Sequence, residues 1–503
     1  MTPGHRRSVF SKMLNLIDTF LNNITMYRLM LYYLLMLWVV ALVFTLGGIV
    51  LVNPLALLVS TLFIIFICWV TNTVFAKIFR VPTNPESVYI CALILSLILT
   101  PATTTAAIPL LFWAAVFSQG SKYLLAIGRK HLFNPVACGL LLSTLVLHQF
   151  ASWWIGTLPM WPFILAGGLL LIRKIRRFDL VFSFFLVVLA ITRQVIFEPT
   201  LLFFAFVMCS EPLTTPPTKR LRILYGGLIG LGTLYFTPEI ALLIGNFFSY
   251  LVSPKYRLLL KLQQKLKTSA NTFDFIFKSN QQLAFLPGQY LEWTLGHNQP
   301  DSRGNRRYFT IASSPTEDKM NYPAASCEVS LRASSCHTIR IGIKSSEQPS
   351  SFKQALLSMK KGDRIIASQL SGEFVLPKDP AIPLTFLAGG IGITPFRSMI
   401  KYLLDKGESR PIILIYVVNK ETDIAYQKLL SQTQTKLGFQ LFYRITGKEG
   451  VVDEAMIKQK VPDYQKRLFY LSGPHGMVTY FEQLLLTMGV RGNNIKTDFF
   501  PGY

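Results

Sequence analysis

What this sequence is short of is clustered cysteine, histidine and acid. Its six cysteines, Cys68, Cys91, Cys138, Cys209, Cys327 and Cys336, form no CxxC, and eight residues separate the nearest two. An iron–sulfur centre of the ferredoxin type needs closely spaced thiolates to wrap one cluster, and a disulfide framework needs a secreted, loop-rich chain. Neither pattern is present, and the six read as buried structural thiols. Acids number 26 against 50 Lys and Arg, a net charge of +24 over 503 residues. Up to Arg257 the balance is 19 basic against 6 acidic (+13), and the remainder carries 31 against 20 (+11). Neither excess reads as a nucleic-acid surface. The first half's cations fall in short loops between apolar runs, and the second half's are interspersed with acids.

What is present, first, is apolar sequence. Ten runs stand out, near residues 28–46, 55–76, 87–100, 105–121, 134–148, 160–172, 179–193, 199–210, 223–236 and 238–252. Several fall below the ~20 residues of a simple membrane span, so broken, tilted or re-entrant helices are expected. With ten spans and a cytoplasmic N-terminus, 18 of the 19 cations fall on the inner side, and Arg193 alone lies outside. That is the asymmetry of the positive-inside rule. The reading is a multi-pass protein of the cell membrane, in contact with lipid and with both termini cytoplasmic. The first run is too long for a removable signal peptide and lacks a small-residue cleavage site, so it reads as an anchor. Haem held by paired histidines is excluded, because of the six histidines only His131 and His148 lie in or beside runs, on opposite sides of the bilayer. Glu211 and Asp179, at the ends of runs, are ion or cofactor ligands on one reading and interfacial charges on the other.

Within this half, Lys130-His131-Leu132-Phe133-Asn134-Pro135 and the proline-rich Ser210-Glu211-Pro212-Leu213-Thr214-Thr215-Pro216-Pro217, followed by Leu224-Tyr225-Gly226-Gly227, carry a resemblance. Residues 25–252 resemble the NqrB/RnfD membrane-subunit family of electron-transport complexes. That resemblance implies about ten helices that hold a flavin in the membrane and pass electrons through it. The family's short Ser/Gly-Ala-Thr stretch for covalent FMN has no counterpart here; the nearest, Pro101-Ala102-Thr103-Thr104-Thr105, lies in a different loop. A second flavin, FMN or riboflavin, would therefore be held non-covalently.

From Tyr256 the pattern changes. Short apolar stretches at Thr272–Phe277, Tyr290–Leu295, Tyr308–Ala312, Cys327–Arg332, Ile339–Ile343 and Arg364–Gln369, separated by turns such as Leu286-Pro287-Gly288-Gln289, predict a small antiparallel barrel. After Pro380, strands at Leu384–Ala388, Pro411–Val417, Leu441–Ile445 and Phe469–Leu471 alternate with helical stretches, which predicts a doubly wound α/β domain. The expected boundaries are 1–253, 254–380 and 381–503.

Gly389-Gly390-Ile391-Gly392-Ile393-Thr394-Pro395 sits between strand and helix, the context in which glycines let backbone amides approach a dinucleotide pyrophosphate. Upstream stands Arg307-Tyr308-Phe309-Thr310-Ile311-Ala312-Ser313. A guanidinium can fork onto a pyrophosphate, an aromatic ring can stack on a flavin, and a hydroxyl can reach its hydride-accepting nitrogen. Residues 256–503 resemble the ferredoxin:NADP reductase superfamily, whose Arg-x-(Tyr/Phe)-(Ser/Thr) signature is met by Arg307, Phe309 and Thr310. The resemblance implies FAD as cofactor and NADH or NADPH as substrate. It also puts the FAD pyrophosphate at the helix opened by Ser350 and Ser351, which otherwise read as ordinary N-caps. Ser472-Gly473-Pro474 stands where the family has Cys-Gly-Pro beside the nicotinamide, and a C-terminal aromatic, Phe499 or Tyr503, would cover the flavin. On this reading Thr310, Ser472 and Phe499 serve the hydride transfer, and electrons pass to a membrane flavin, a quinone or a partner subunit, with ion coupling open. The alternative is a redox-sensing channel or transporter with a regulatory reductase domain. Asn419-Lys420-Glu421 offers one cation and one acid where a ribose 2′-phosphate and 2′-hydroxyl would be told apart, leaving the nucleotide open.

Overall fold

The computed structural model describes residues 17, 20–21, 24–79, 85–127, 130–193, 198–253, 257–297, 301, 305–317, 335–345 and 349–498. They form two compact units that divide between Lys255 and Tyr256. Among the described residues the first unit holds ten helices: α1 (Met26–Leu46), α2 (Pro54–Phe79), α3 (Pro85–Ile98), α4 (Ile108–Leu124), α5 (Pro135–Leu147), α6 (Trp161–Ile175), α7 (Phe178–Thr192), α8 (Pro199–Phe203, running on as a π-helical turn to Met208), α9 (Lys219–Gly232) and α10 (Pro238–Val252). Each apolar run of the sequence has its helix. By length and composition, however, only α1, α2 and the stretch Leu158–Ile175 are long and apolar enough to cross a membrane. The expectation of about ten spans is corrected to that extent. Proline opens seven of the ten helices at the first or second position, and a first-turn proline lacks only an N–H that would be unpaired anyway.

The α3 helix shows how a short helix ends inside the unit. Ile98 is fully buried, and three of the helix's last carbonyls are taken by one tight turn: Trp153 N–H donates to Ile98 at 2.9 Å, Ile155 N–H to Leu97 at 3.2 Å and Trp154 Nε1 to Ser96 at 2.9 Å. Buried C-terminal carbonyls need such partners. Elsewhere glycine sets the packing distance. A Cβ on Gly226 or Gly230 of α9 would stand 2.3 Å from Leu180 O and 2.7 Å from Phe184 O of α7, so these two helices meet backbone to backbone.

The second unit joins two sheets. The first is antiparallel, from β1 (Arg257–Lys267), β2 (Thr272–Ala284), β3 (Tyr290–Thr294), β4 (Arg306–Thr310), β5 (Ser335–Lys344) and β6 (Arg364–Ser371), in the order β4-β3-β6-β1-β2-β5. Its inward alternation, Leu258, Leu260 and Leu262 on β1, Phe275 and Phe277 on β2, Ile339, Ile341 and Ile343 on β5, packs around Trp293. Helix α11 (Ser351–Ser358) adds Phe352 and Leu356 to this core. The second sheet is parallel: β7 (Leu384–Gly389), β8 (Ile412–Val418), β9 (Gln440–Ile445), β10 (Leu468–Ser472) and β11 (Ile495–Asp498), in the order β9-β8-β7-β10-β11. Every residue of β7 and β8 is buried, as expected for central strands covered on both faces. Helices α12 (Ile393–Lys406), α13 (Gln427–Leu437), α14 (Glu454–Lys460) and α15 (His475–Thr487) follow β7, β8, β9 and β10 in turn. Strands β1 and β11 were not foreseen from the sequence, and the expected strand at 327–332 lies outside the described residues.

A buried charge cluster locks the two sheets together. Arg397 of α12 donates to both carboxylate oxygens of Glu317, at 2.8 and 3.0 Å, and to the carbonyl of Ala312. Arg340 of β5 bridges Glu317 at 3.3 Å and the fully buried Asp274 of β2 at 3.1 Å. The Tyr426 hydroxyl donates to Asp274 at 2.6 Å, and its ring lies 5.4 Å from the Arg397 guanidinium carbon. Burial pushes the Asp274 carboxyl above its ordinary range against the pull of Tyr426 and Arg340. At Glu317 burial pushes the same way but the guanidiniums win, holding the carboxyl at about 2.

Because Glu317 titrates lower in the folded chain than in the unfolded one, its contribution is present above the unfolded value of 4.5 and lost as pH falls toward about 2. The contribution is on the order of 3 kcal/mol. Replacing Glu317 by Gln leaves Arg397 and Arg340 without a shared counter-ion and is expected to destabilise the unit by about 3–5 kcal/mol. Denaturant melts followed by circular dichroism at pH 7 and pH 3 check both: the wild type loses stability between them, and the variant changes much less.

Candidate functional site

Among the expected flavin ligands, Arg307 is the best defined. It is buried on β4, directly across from Trp293 of β3, and its guanidinium donates to Asp301 at 3.1 and 3.4 Å and lies 5.3 Å from the centre of the Phe352 ring. Phe309 packs at 5.8 Å on the same ring. The carboxylate of Asp301 also accepts the Ser351 backbone N–H at 3.1 Å, while the Ser351 hydroxyl takes the Asp301 N–H at 2.9 Å and bonds His297 at 3.0 Å. Ser350 caps α11 by accepting from Lys353 N–H at 3.4 Å. At the N-terminus of α11 a carboxylate thus sits against a helix N–H and a buried guanidinium, the surroundings a pyrophosphate oxygen would need. Asp301 and His297 were missed in the sequence, since nothing in their spacing announces them. Thr310 ends β4 as a buried residue, and Ser313, three residues on, accepts from Arg340 N–H at 3.1 Å.

The glycine loop runs from the C-terminal end of β7 into α12. Gly389 is extended, Gly390 has φ of +53°, and α12 begins at Ile393 with no side-chain cap on its N-terminus. Next to it, at the C-terminal end of β10, lies Ser472-Gly473-Pro474. Glycine lets the two loops approach closely: a Cβ on Gly392 would lie 2.3 Å from Ser472 O, and one on Gly473 would lie 3.1 Å from the Cα of Gly389. The order of β7, β8 and β10 reverses at this point, where doubly wound sheets open a crevice. A cleft of about 430 Å³ is found there, lined by Gly389, Gly390, Asn419, Asp423, Thr446, Pro474 and Met477 among others. Thr394 faces the barrel rather than the cleft floor, 2.8 Å from where a Cβ on Gly342 would stand, and Pro395 follows it in the buried first turn of α12. The Ser472 hydroxyl donates to Asp498 at 3.4 Å, an acid the sequence reading passed over because β11 was not foreseen. Phe499 and Tyr503 lie outside the described residues.

In the first unit Asp179 is paired with Arg222 at 2.7 Å, which is the interfacial-charge reading. Glu211 accepts from Asn134 Nδ2 at 3.0 Å and Thr214 Oγ1 at 3.1 Å and bonds His131 at 3.2 Å. Asn134 N–H in turn donates to Asn246, whose amide donates to Tyr225. The Phe-Asn-Pro and Ser-Glu-Pro motifs, far apart in the chain, meet in this network.

If a flavin pyrophosphate takes the α11 N-terminus, it displaces Asp301. Replacing Asp301 by Asn is then expected to tighten FAD binding, and replacing Arg307 by Ala to weaken it about 10- to 100-fold, the ~1.5–3 kcal/mol of hydrogen bonds to a charged group. Fluorescence titration of flavin-stripped protein with FAD checks both signs.

Residues 386–483 match the family of oxidoreductase NAD-binding domains. The chain is 27% identical over 207 residues to an NADPH oxidoreductase of Mycobacterium tuberculosis, covering 41% of this chain and 50% of that one. It is 23% identical over 254 residues to a flavohemoprotein of Oceanobacillus iheyensis, covering 48% and 58%. Among solved structures, the FAD/NAD-binding domain of a Vibrio cholerae nitric oxide dioxygenase shares 19% identity over 48% of this chain and 98% of that one, with a TM-score of 0.39. The chain spans about half the length of these two curated relatives, and the matches fall in its C-terminal half. The family match lies wholly within the second unit and takes in the glycine loop and Ser472-Gly473-Pro474.

Proposed function

We propose that the protein is a membrane-bound flavoprotein that takes hydride from NAD(P)H onto FAD on the cytoplasmic side and delivers electrons into or across the membrane. The acceptor is a second, non-covalent flavin in an NqrB/RnfD-like helical unit, a quinone or a partner subunit. The observation that carries the reading is one chain holding a switch-point dinucleotide cleft and a helical unit whose apolar side chains face outward. On α2, Leu55, Val59, Leu62, Phe66 and Trp69 are exposed along one stripe, while Ser60, Thr61, Thr71 and Asn72 are buried. A water-soluble protein shows the reverse, and exposed apolar area on this scale marks a membrane or partner surface.

FAD, when bound, supplies the conversion of a two-electron hydride donor into single electrons. The chain's own residues do the rest. Arg307 and the α11 N–H groups bind the pyrophosphate, Gly389 to Gly392 and the uncapped start of α12 receive the nucleotide pyrophosphate, and Ser472, hydrogen-bonded to Asp498, ends the strand beside them. The charge cluster around Glu317 fixes the barrel against that crevice and keeps water out of the contact. In this reading Phe499 or Tyr503 covers the flavin until the nicotinamide arrives. A channel or transporter whose reductase half only senses redox state is the competing reading.

Detergent-purified protein is expected to contain FAD that NAD(P)H bleaches and a soluble dye reoxidises. Gly390→Val, which forces a β-branched residue to φ near +53°, and Gly392→Ala, which collides with Ser472 O, are expected to reduce turnover by a factor of about 100 or more with flavin retained. Dye reduction that survives both changes supports the sensor reading. A second flavin in the chromophore count supports a transmembrane route, and FAD alone supports a quinone or partner acceptor.

A further inference from the structure

We infer that the dinucleotide cleft takes NADH in preference to NADPH, and that Asp423 is the residue that turns the 2′-phosphate away. The inference rests on the reductase reading above and adds the identity of the donor.

Direction along the cleft comes first. The nicotinamide must reach the flavin strand, and two residues beyond Thr310 the Ala312 N–H donates to Arg340 O on β5 at 2.8 Å. Lys344 lines the cleft four residues further along β5, roughly 13 Å at the rise of an extended strand. The pyrophosphate cradle of Gly389 and Gly390 lies within the same cleft, so the adenosine ribose falls toward the Lys344 and Asp423 end, beyond β8.

The charges at that end are already matched. Lys344 and Asp423 are the charged residues among those lining the cleft, and they stand 3.8 Å from each other. Asp423 is firmly held: its N–H donates to Lys420 O at 3.0 Å, and Thr422 O accepts from Ala270 N–H in the β1–β2 turn at 3.0 Å. Of the other cations nearby, Lys420 beside Asn419 is exposed and does not line the cleft, and two more are engaged. Lys448 pairs with Glu421 at 3.5 Å, and the Arg444 guanidinium donates to the carbonyls of Glu449, Gly450 and Val451. Gly447 admits no side chain, because a Cβ there would lie 2.8 Å from Asn419 O. The other polar groups lining this end of the cleft are neutral: the Asn419 amide and the Thr446 hydroxyl, 3.4 Å apart, suited to a ribose hydroxyl. A 2′-phosphate would bring its charge against a largely buried carboxylate with its one cleft cation already shared, and like-charge juxtaposition of this kind is a strong discriminator.

The test is flavin reduction by the full chain in detergent, followed by stopped flow with NADH and with NADPH. NADH is expected to be favoured by about tenfold or more in kcat/KM, and 2′,5′-ADP is expected to inhibit more weakly than 5′-ADP. Asp423→Asn, with Asp423→Ser as a second variant against misfolding, is expected to raise NADPH efficiency about tenfold and narrow the ratio. A wild type that prefers NADPH, or a ratio that neither variant moves, overturns the inference while leaving the reductase reading intact. Failure of either nucleotide to bleach the flavin overturns that reading, and this one with it.

Discussion

The geometry of the reductase half depends on one buried cluster of four charges: Asp274 and Arg340 from the barrel, Glu317 from the segment after β4, and Arg397 from the helix that the glycine loop opens. Hydride transfer requires two planar groups, each bound to a different sheet, to meet at van der Waals distance. Non-directional apolar packing would hold the sheets together yet allow sliding. A guanidinium donating to two carboxylate oxygens and one carbonyl allows far less. Buried ion pairs often add little net stability over an apolar replacement, so the contribution argued for here is registry rather than strength. Gly342 shows how tight that registry is, since a methyl group on its Cα would strike both Thr394 and the Tyr426 hydroxyl.

The two helix N-termini that serve the two nucleotides are prepared differently. At α12 no side chain caps the first turn, and Gly389 and Gly390 of the loop before it line an open cleft. At α11 the chain supplies its own anion, and Arg307, Asp301, Ser351 and His297 satisfy one another. A ligand entering the first site displaces water, whereas one entering the second must displace a carboxylate from a guanidinium. This asymmetry accords with the proposed roles. A substrate that must leave every cycle gains from an open preformed cleft, and a resident cofactor has the binding area to offset the exchange.

Much of this was legible in the sequence, and the boundary of legibility is physical. Glycine loops and the Arg307 strand are local signals, because turn conformation and strand alternation are set by adjacent residues. Helix positions in the first half were likewise readable from apolar runs. The charge cluster was not, since Asp274 and Arg340 are 66 residues apart and Glu317 and Arg397 are 80 apart. Strand β1 was hidden by its composition: Leu258, Leu260 and Leu262 point inward, but the neighbouring Leu259 blurs the alternation directly after an apolar helix. Asp498 followed the same fate, for a four-residue edge strand has too few positions to show a period. Asp179, for which the sequence offered both a ligand role and an interfacial charge, is the partner of Arg222, 43 residues away.

The helical unit poses the sharper constraint on any account of function. Its interior holds polar groups that a soluble core would avoid, among them Asn72, Gln119, Asn134 and Asn246, each buried. Its surface exposes Phe66, Trp69, Phe182 and Phe247. Such a surface is costly in water and suits lipid or a partner protein. Inside, the polar network from Glu211 through Asn134 and Asn246 to Tyr225 is hydrogen-bonded at every step, which lowers the expense of burying it without explaining why it is there. A unit built only to anchor a reductase would need none of these groups. Under the proposed function, polar residues kept in an apolar surround, at the meeting point of two proline-bearing motifs, are where the helical unit would handle charge, with the second unit as its source of reducing equivalents.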